Sequence, residues 1–223
     1  MANLEVVQTG LGELDSAIID GKSTLSEVTA EIDAINERLK KLEKMAVIGS
    51  PIPDAFACEL LNGDQRKTLL RWYPGQWKVL FQASKDGFNV QTFHQKCDNK
   101  GATVTVIKSN NGYIFGGYAS VSWNGNTWIQ DANASLFTLT NPNNIPPTKY
   151  VCQDGIHALY SHQTYGPTFG GGHDIHLAHN NNGNFINFPN SYSDTTGYGN
   201  NTFTGTGKFT AADYIVFDLQ RSL

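Results

Sequence analysis

An α+β fold is what this sequence predicts, a two-sheet antiparallel β-sandwich with flanking helices, carried behind an N-terminal α-helical coiled coil. Three observations lead there. Apolar residues recur at alternating spacings of three and four through the first 48 residues, then at a spacing of two beyond Gln76, and a Gly-Ser-Pro-Ile-Pro break separates the two regimes. A change of period marks a change of architecture, because side chains share a helix face every 3.6 residues and a strand face every second residue.

The arm spans residues 1–48. Its seam runs Leu4, Val7, Leu11, Leu14, Ile18, Leu25, Val28, Ile32, Ile35, Leu39 and Leu42, with Leu4, Leu11, Ile18, Leu25, Ile32 and Leu39 at the a positions of a heptad. From Leu25 onward only a and d are strongly apolar, and so narrow a stripe suits another helix better than a broad core. Leu25, Val28, Ile32, Ile35, Leu39 and Leu42 are therefore the expected self-association residues. Leu at a with Val28 and Ile35 at d leans toward three or four strands, against which Leu42 is the exception. Asp20-Gly21-Lys22 interrupts the seam, and Thr24-Leu-Ser-Glu27 reads as a capping box that starts a second helix near Leu25. The first helix then either folds back as a hairpin or continues as a rod with a weak point.

Residues 49–53 form the linker, since each proline removes an amide donor and pushes its predecessor toward extended geometry. Residues 54–223 are the globular domain. Asp54–Leu61 and Asp64–Trp72 read as short helices, with Leu60, Leu61, Leu69, Leu70 and Trp72 as the face laid on a sheet. Strands are expected at Val79 and Phe81, at Val104 and Val106, from Ile114 to Ala119 and from Tyr214 to Leu219. Turns fall at Lys85–Gly87, Asp98–Gly101, Asn110–Gly112 and Asn124–Gly125, all rich in residues that tolerate left-handed backbone. The asparagine-rich stretch 180–199 reads as a surface loop.

Composition narrows the function classes. Hydrophobic residues make up 39% and aromatics 11%, enough for a packed core. The net charge of −4 falls entirely on the arm, so the domain is balanced and has no basic stripe to neutralise phosphates. No nucleic-acid partner is expected, and no apolar run reaches membrane-spanning length. The N-terminus has no basic and apolar leader, which predicts a cytoplasmic protein, and Cys58, Cys97 and Cys152 are expected as reduced thiols.

Four separated blocks, in order, resemble the TLDc domain family: SKDGFNVQTFHQKCDNKGATVTVIKSNNGYIFGGYASVSW (84–123), FTLTNPNNIPPTKY (137–150), YGPTFGGGHDI (165–175) and FTGTGKFTAADYIVFDL (203–219). The resemblance implies the two-sheet sandwich and a non-enzymatic role through protein–protein interaction. It further implies a place in the oxidative-stress response and, as a partner, a subunit of the vacuolar proton ATPase.

Several clusters invite chemistry. Gly170-Gly-Gly-His173-Asp-Ile-His176 holds the densest set of metal-ligand types, yet one strand brings only Asp174 and His176 to one face, short of the three or four ligands a site needs. The expectation is a glycine turn feeding a buried strand, with Asp174 bonding nearby backbone, and no cofactor or metal. His94 and Cys97 suggest a thiol nucleophile oriented by Asp98, but bracing of the turn before Thr103 is the stronger reading. Cys97, between Lys96 and Lys100, is expected to have some thiolate character and to be an oxidant target. Trp123 is expected in the core. Trp128, with Asn124 and Asn126, is expected to be partly exposed and to contact a ligand or partner, and underlies the alternative of a multivalent glycan- or calcium-binding oligomer.

Overall fold

The computed structural model describes residues 21, 24–26, 28–30, 32–37 and 58–220. The chain divides into two compact units, Met1–Pro51 and Ile52–Leu223. In the first, the described residues are helical. Gly21 is itself helical, and the Thr24 hydroxyl donates to the Gly21 carbonyl (3.0 Å), three residues back. Thr24 thus behaves as a side chain inside a helix rather than as the N-cap expected of it. Leu25, Val28, Ile32 and Ile35 are 67%, 53%, 52% and 57% exposed. Leu39, Leu42, the residues before Gly21 and the 49–53 linker lie outside the described residues.

The second unit is mostly antiparallel sheet. Helix α1 (Gly63–Trp72) starts from a reciprocal capping box in which Asn62 Oδ1 accepts from the Gln65 amide and Gln65 Oε1 from the Asn62 amide, both at 2.9 Å. Of the helix expected at 54–61, the described residues Cys58–Leu61 form a turn instead. Strand β1 (Gln76–Gln82) leads into the short helices α2 (Ala83–Asp86) and α3 (Val90–Cys97). Then follow β2 (Thr103–Ser109), β3 (Ile114–Ala119), β4 (Thr127–Ile129), β5 (Ser135–Thr140), β6 (Thr148–Val151), β7 (Leu159–Ser161), β8 (Tyr165–Phe169), β9 (Ile175–Ala178), β10 (Phe185–Ile186) and β11 (Ala211–Gln220). The first sheet has the order β1-β11-β2-β3-β5-β6 and the second β10-β9-β8-β7-β4.

The central strands β2, β3, β5 and β11 are buried on both faces, Thr103 and Thr105 of β2 included, whereas the edge strands β1 and β6 are partly exposed. Val104, Val106, Ile215, Phe217 and Leu219 join Leu69, Tyr73 and Trp77 in a core on the α1 side. Ile107, Tyr214 and Val216 belong to the larger core between the sheets, with Phe93, Phe115, Trp123, Leu159, Phe169, Ile175 and Leu177. A bulge in β1 shifts the register between Val79 and Phe81: Trp77 pairs with Leu219 in the α1-side core, whereas Phe81 pairs with Val216 in the inter-sheet core. One inserted residue moves the strand's apolar side chains from one face to the other.

Helix α3 corrects the expectation that the 84–123 block is strands and turns alone. Val90, Phe93 and Cys97 are buried at helical spacing, and Asn89 caps the helix by accepting from the Gln91 and Thr92 amides at 2.8 and 3.3 Å. The Asn89 cap and the i, i+3, i+7 pattern were the available signals.

Gly116-Gly117 of β3 leave no room for a side chain on either face. A Cβ on Gly117 would stand 2.5 Å from the Phe169 ring, and one on Gly116 would stand 1.9 Å from the Thr105 carbonyl oxygen. Replacing Gly117 by Ala should therefore cost about 1–3 kcal/mol in urea unfolding, and Gly116→Ala at least as much. Adding Phe169→Leu should recover part of the G117A loss in a double-mutant cycle. An unchanged midpoint for G117A would contradict this packing.

Candidate interaction face on the second sheet

Alternation along the second sheet sends Leu159, Phe169, Ile175, Leu177 and Ile186 into the inter-sheet core. Their neighbours face outward. Trp128 of β4 sits opposite Tyr160 of β7, with ring centroids 4.4 Å apart, and His176 of β9 sits opposite Phe185 of β10 at 4.9 Å. His173, held at φ 59° in the turn before β9, links the two pairs by stacking on Tyr160 (5.4 Å, 24°) and on His176 (5.4 Å, 24°). Tyr165 packs edge-on against His176 at 4.6 Å. The result is a strip of rings across the sheet, half-buried except for the buried His176.

This strip is uncharged at neutral pH where its two central imidazoles are concerned. Burial holds His173 below the ordinary imidazole range, and burial together with the neighbouring His173 brings His176 down to about 4. The Thr168 hydroxyl donates to the Gly166 carbonyl (3.0 Å), so its oxygen accepts from His176 Nδ1–H at 2.9 Å.

Two polar centres hold the strip in place. His94 in the last turn of α3 pairs through Nδ1 with both Asp98 carboxylate oxygens (2.9 and 3.0 Å) and through Nε2 with the carbonyls of His162 and Tyr165 (2.9 and 3.0 Å). It ties the β7–β8 turn to α3, a different turn from the one before Thr103 that it was expected to brace. His94 is committed to these acceptors, and Cys97 is fully buried with its thiol pushed well above the ordinary range by burial and by Asp98. The expected thiolate character of Cys97 is thereby overturned: desolvation outweighs Lys96 and Lys100.

Asp174 is the second centre. Fully buried, it accepts from the Asn190 amide (2.6 Å) and the Ser191 amide (3.0 Å), while burial raises its pKa to about 6 against the pull of those bonds. Gly170 at φ 87° makes room for it, since a Cβ there would lie 1.7 Å from Asp174 Oδ2. The triple-glycine segment is thus a tight turn around a buried carboxylate. Asp174 and His176 bond to different groups and do not converge, and among the described residues no group of three or more His, Cys, Asp and Glu is placed to hold a metal.

Trp123 is core, packed on Phe93 and Phe169 with its Nε1 donating to Thr103 Oγ1 at 2.9 Å, and Trp128 is half-buried. Asn126 accepts from the Gln163 amide (2.9 Å), so it ties β4 to the β7–β8 turn, and Asn124 is exposed. A cleft of about 360 Å³ beside Trp128 is lined instead by Asp154, His157, Asn190 and Ser191 with Gly171 and Gly172. No sequence motif joins these residues; three loops bring them together.

The depressed pKa of His176 has a measurable consequence. Between about pH 6.5 and 4 the unfolded chain binds a proton that the folded chain refuses, so stability present above pH 6.5 is lost as pH falls. Between pH 7 and pH 5 the wild type should lose about 2 kcal/mol more than His176→Gln in urea unfolding. A difference that stays constant with pH would contradict a neutral, buried His176.

The TLDc domain family model matches residues 56–220, most of the chain. The chain is also similar to MTOR-associated protein MEAK7 of Danio rerio, 34% identical over 64 residues, covering 28% of this chain and 14% of that protein. It is 38% identical over 61 residues to MTOR-associated protein MEAK7 of Gallus gallus, covering 26% of this chain and 12% of that one. The chain therefore matches only a small share of these longer relatives. With four TLDc-like blocks in order, two antiparallel sheets and a family match across nearly the whole second unit, this chain belongs to the TLDc domain family.

Proposed function

We propose that this chain is a non-enzymatic, oligomeric TLDc protein that acts through protein–protein contacts in the cytoplasm. The observation that carries this reading is the strip Trp128–Tyr160–His173–His176–Phe185, a braced aromatic surface of the composition that dominates binding energy at protein interfaces. Rings already locked by stacking lose little freedom on binding, which lowers the entropic cost of association. The relatives are named for association with MTOR, and the family resemblance points to the vacuolar proton ATPase and to oxidative stress, so a component of either assembly is the class of partner to test.

The arm supplies the number of copies. Leu25, Val28, Ile32 and Ile35 are each more than half exposed in the single chain, and burying them between three or four helices is the arrangement their a and d spacing favours. Several domains on one coil turn a weak contact into a retained one.

Capture from cell extract on immobilised full chain tests both parts. Ile32→Asp with Ile35→Asp should leave the domain's unfolding transition intact while weakening retention of the captured partner by on the order of a hundredfold. Cys97→Ser, verified as folded by circular dichroism, should leave oxidant protection of cells unchanged. Loss of protection from a folded C97S protein, or full retention by the arm variant, would overturn the reading.

A further inference from the structure

The cleft beside Trp128 has a one-sided hydrogen-bonding character. The amides along one wall are turned inward: Asn190 and Ser191 donate to buried Asp174, and Gly171 donates to Ser191 Oγ at 2.7 Å. The Asn190 Nδ2 donates to the Asn187 carbonyl, leaving Oδ1 as that amide's acceptor. Opposite stands Asp154, whose Oδ1 accepts from the Ile156 and His157 amides (3.2 and 3.4 Å) and whose Oδ2 accepts from His157 Nδ1 at 2.7 Å. In the tautomer whose Nδ1–H meets Asp154, Nε2 is left as a further acceptor. Asp154 is itself held ionised by these bonds, the one from His157 first.

The indole closes the site. Trp128 is fixed by Tyr160 at 4.4 Å and by the edge of His157 at 5.3 Å, so its ring borders the cleft in a set orientation. The occupant that fits is flat, positively charged and rich in donors, to match the Asp154 carboxylate and the Trp128 ring. A guanidinium has five N–H donors and no acceptor, stacks on an indole and pairs with a carboxylate in a planar fork. A saccharide fits less well, because its ring and hydroxyl oxygens need donors and the Gly171, Asn190 and Ser191 amides of this wall are already engaged, whereas Asp154 opposite carries a negative charge that a guanidinium pairs with.

We propose that the Trp128 cleft is the anchor pocket for an arginine side chain of the protein partner, stacked on Trp128 and bonded to Asp154, His157 Nε2 and Asn190 Oδ1. The inference rests on the protein-contact reading, adding to it the chemistry of what the partner presents. At about 360 Å³ the cleft is a shallow, open depression with room for the end of one side chain.

The full chain labelled with 5-fluorotryptophan tests this by ¹⁹F NMR, with the Trp128 resonance assigned from Trp128→Phe among the chain's four tryptophans. Titrating Nα-acetyl-arginine amide should shift the Trp128 line saturably and leave the other lines in place. The citrulline counterpart, equal in shape but uncharged, should bind at least about tenfold more weakly, and Asp154→Asn, which keeps the capping oxygen, should weaken the arginine probe to a similar degree. Equal binding of the citrulline probe overturns the proposal, as does a Trp128 shift with methyl glucoside and none with arginine. The citrulline comparison uses the unmodified sequence and so stands even where D154N fails to fold. Failure here leaves partner capture untouched, which separates it from failure of the protein-contact reading.

Discussion

Gly117 in β3 leaves bare backbone against the ring of Phe169 in β8, a contact between the two sheets that no side chain at 117 would allow unchanged. Phe169 in turn packs on Trp123, which reaches Phe93 of α3 and donates to Thr103 in β2. One aromatic relay therefore joins both sheets and a helix. Its directional consequence is for the outer face: with Phe169 and Ile175 paired and pointing inward, Thr168 and His176 must be paired and point out. The recognition strip is the reverse side of the core.

Polar groups set what the outer face offers. Asp174 draws the amides of Asn190 and Ser191 inward, and His94 anchors the β7–β8 turn through two backbone carbonyls. These buried centres stabilise loops and also remove donors from the surface near Trp128. The same hydrogen bonds that satisfy the interior leave the cleft rich in acceptors.

Much of this was legible in the residues. The period-two residues at Val104 and Val106 and from Tyr214 to Leu219 announce strands, and the pattern at Asp64–Trp72 announces a helix laid on a sheet. The resemblance in four blocks identified the family. What escaped was non-local. The β1 bulge that moves Phe81 to the opposite core depends on pairing with β11, and the burial that outweighs two lysines beside Cys97 depends on α3 docking. Neither the bond from the Gln163 amide to Asn126 nor the gathering of Asp154, His157 and Asn190 around one cleft has a spacing signal in the sequence.

Function, in this account, comes from copy number joined to a fixed surface. In the proposal, a balanced domain with a neutral ring strip supplies contacts of modest strength, and the acidic arm with its exposed Leu25, Val28, Ile32 and Ile35 supplies multiplicity. Native mass spectrometry of the full chain at micromolar concentration tests that union most directly. The account predicts an assembly of three or four chains; a single-chain mass under conditions where the domain is folded would contradict it.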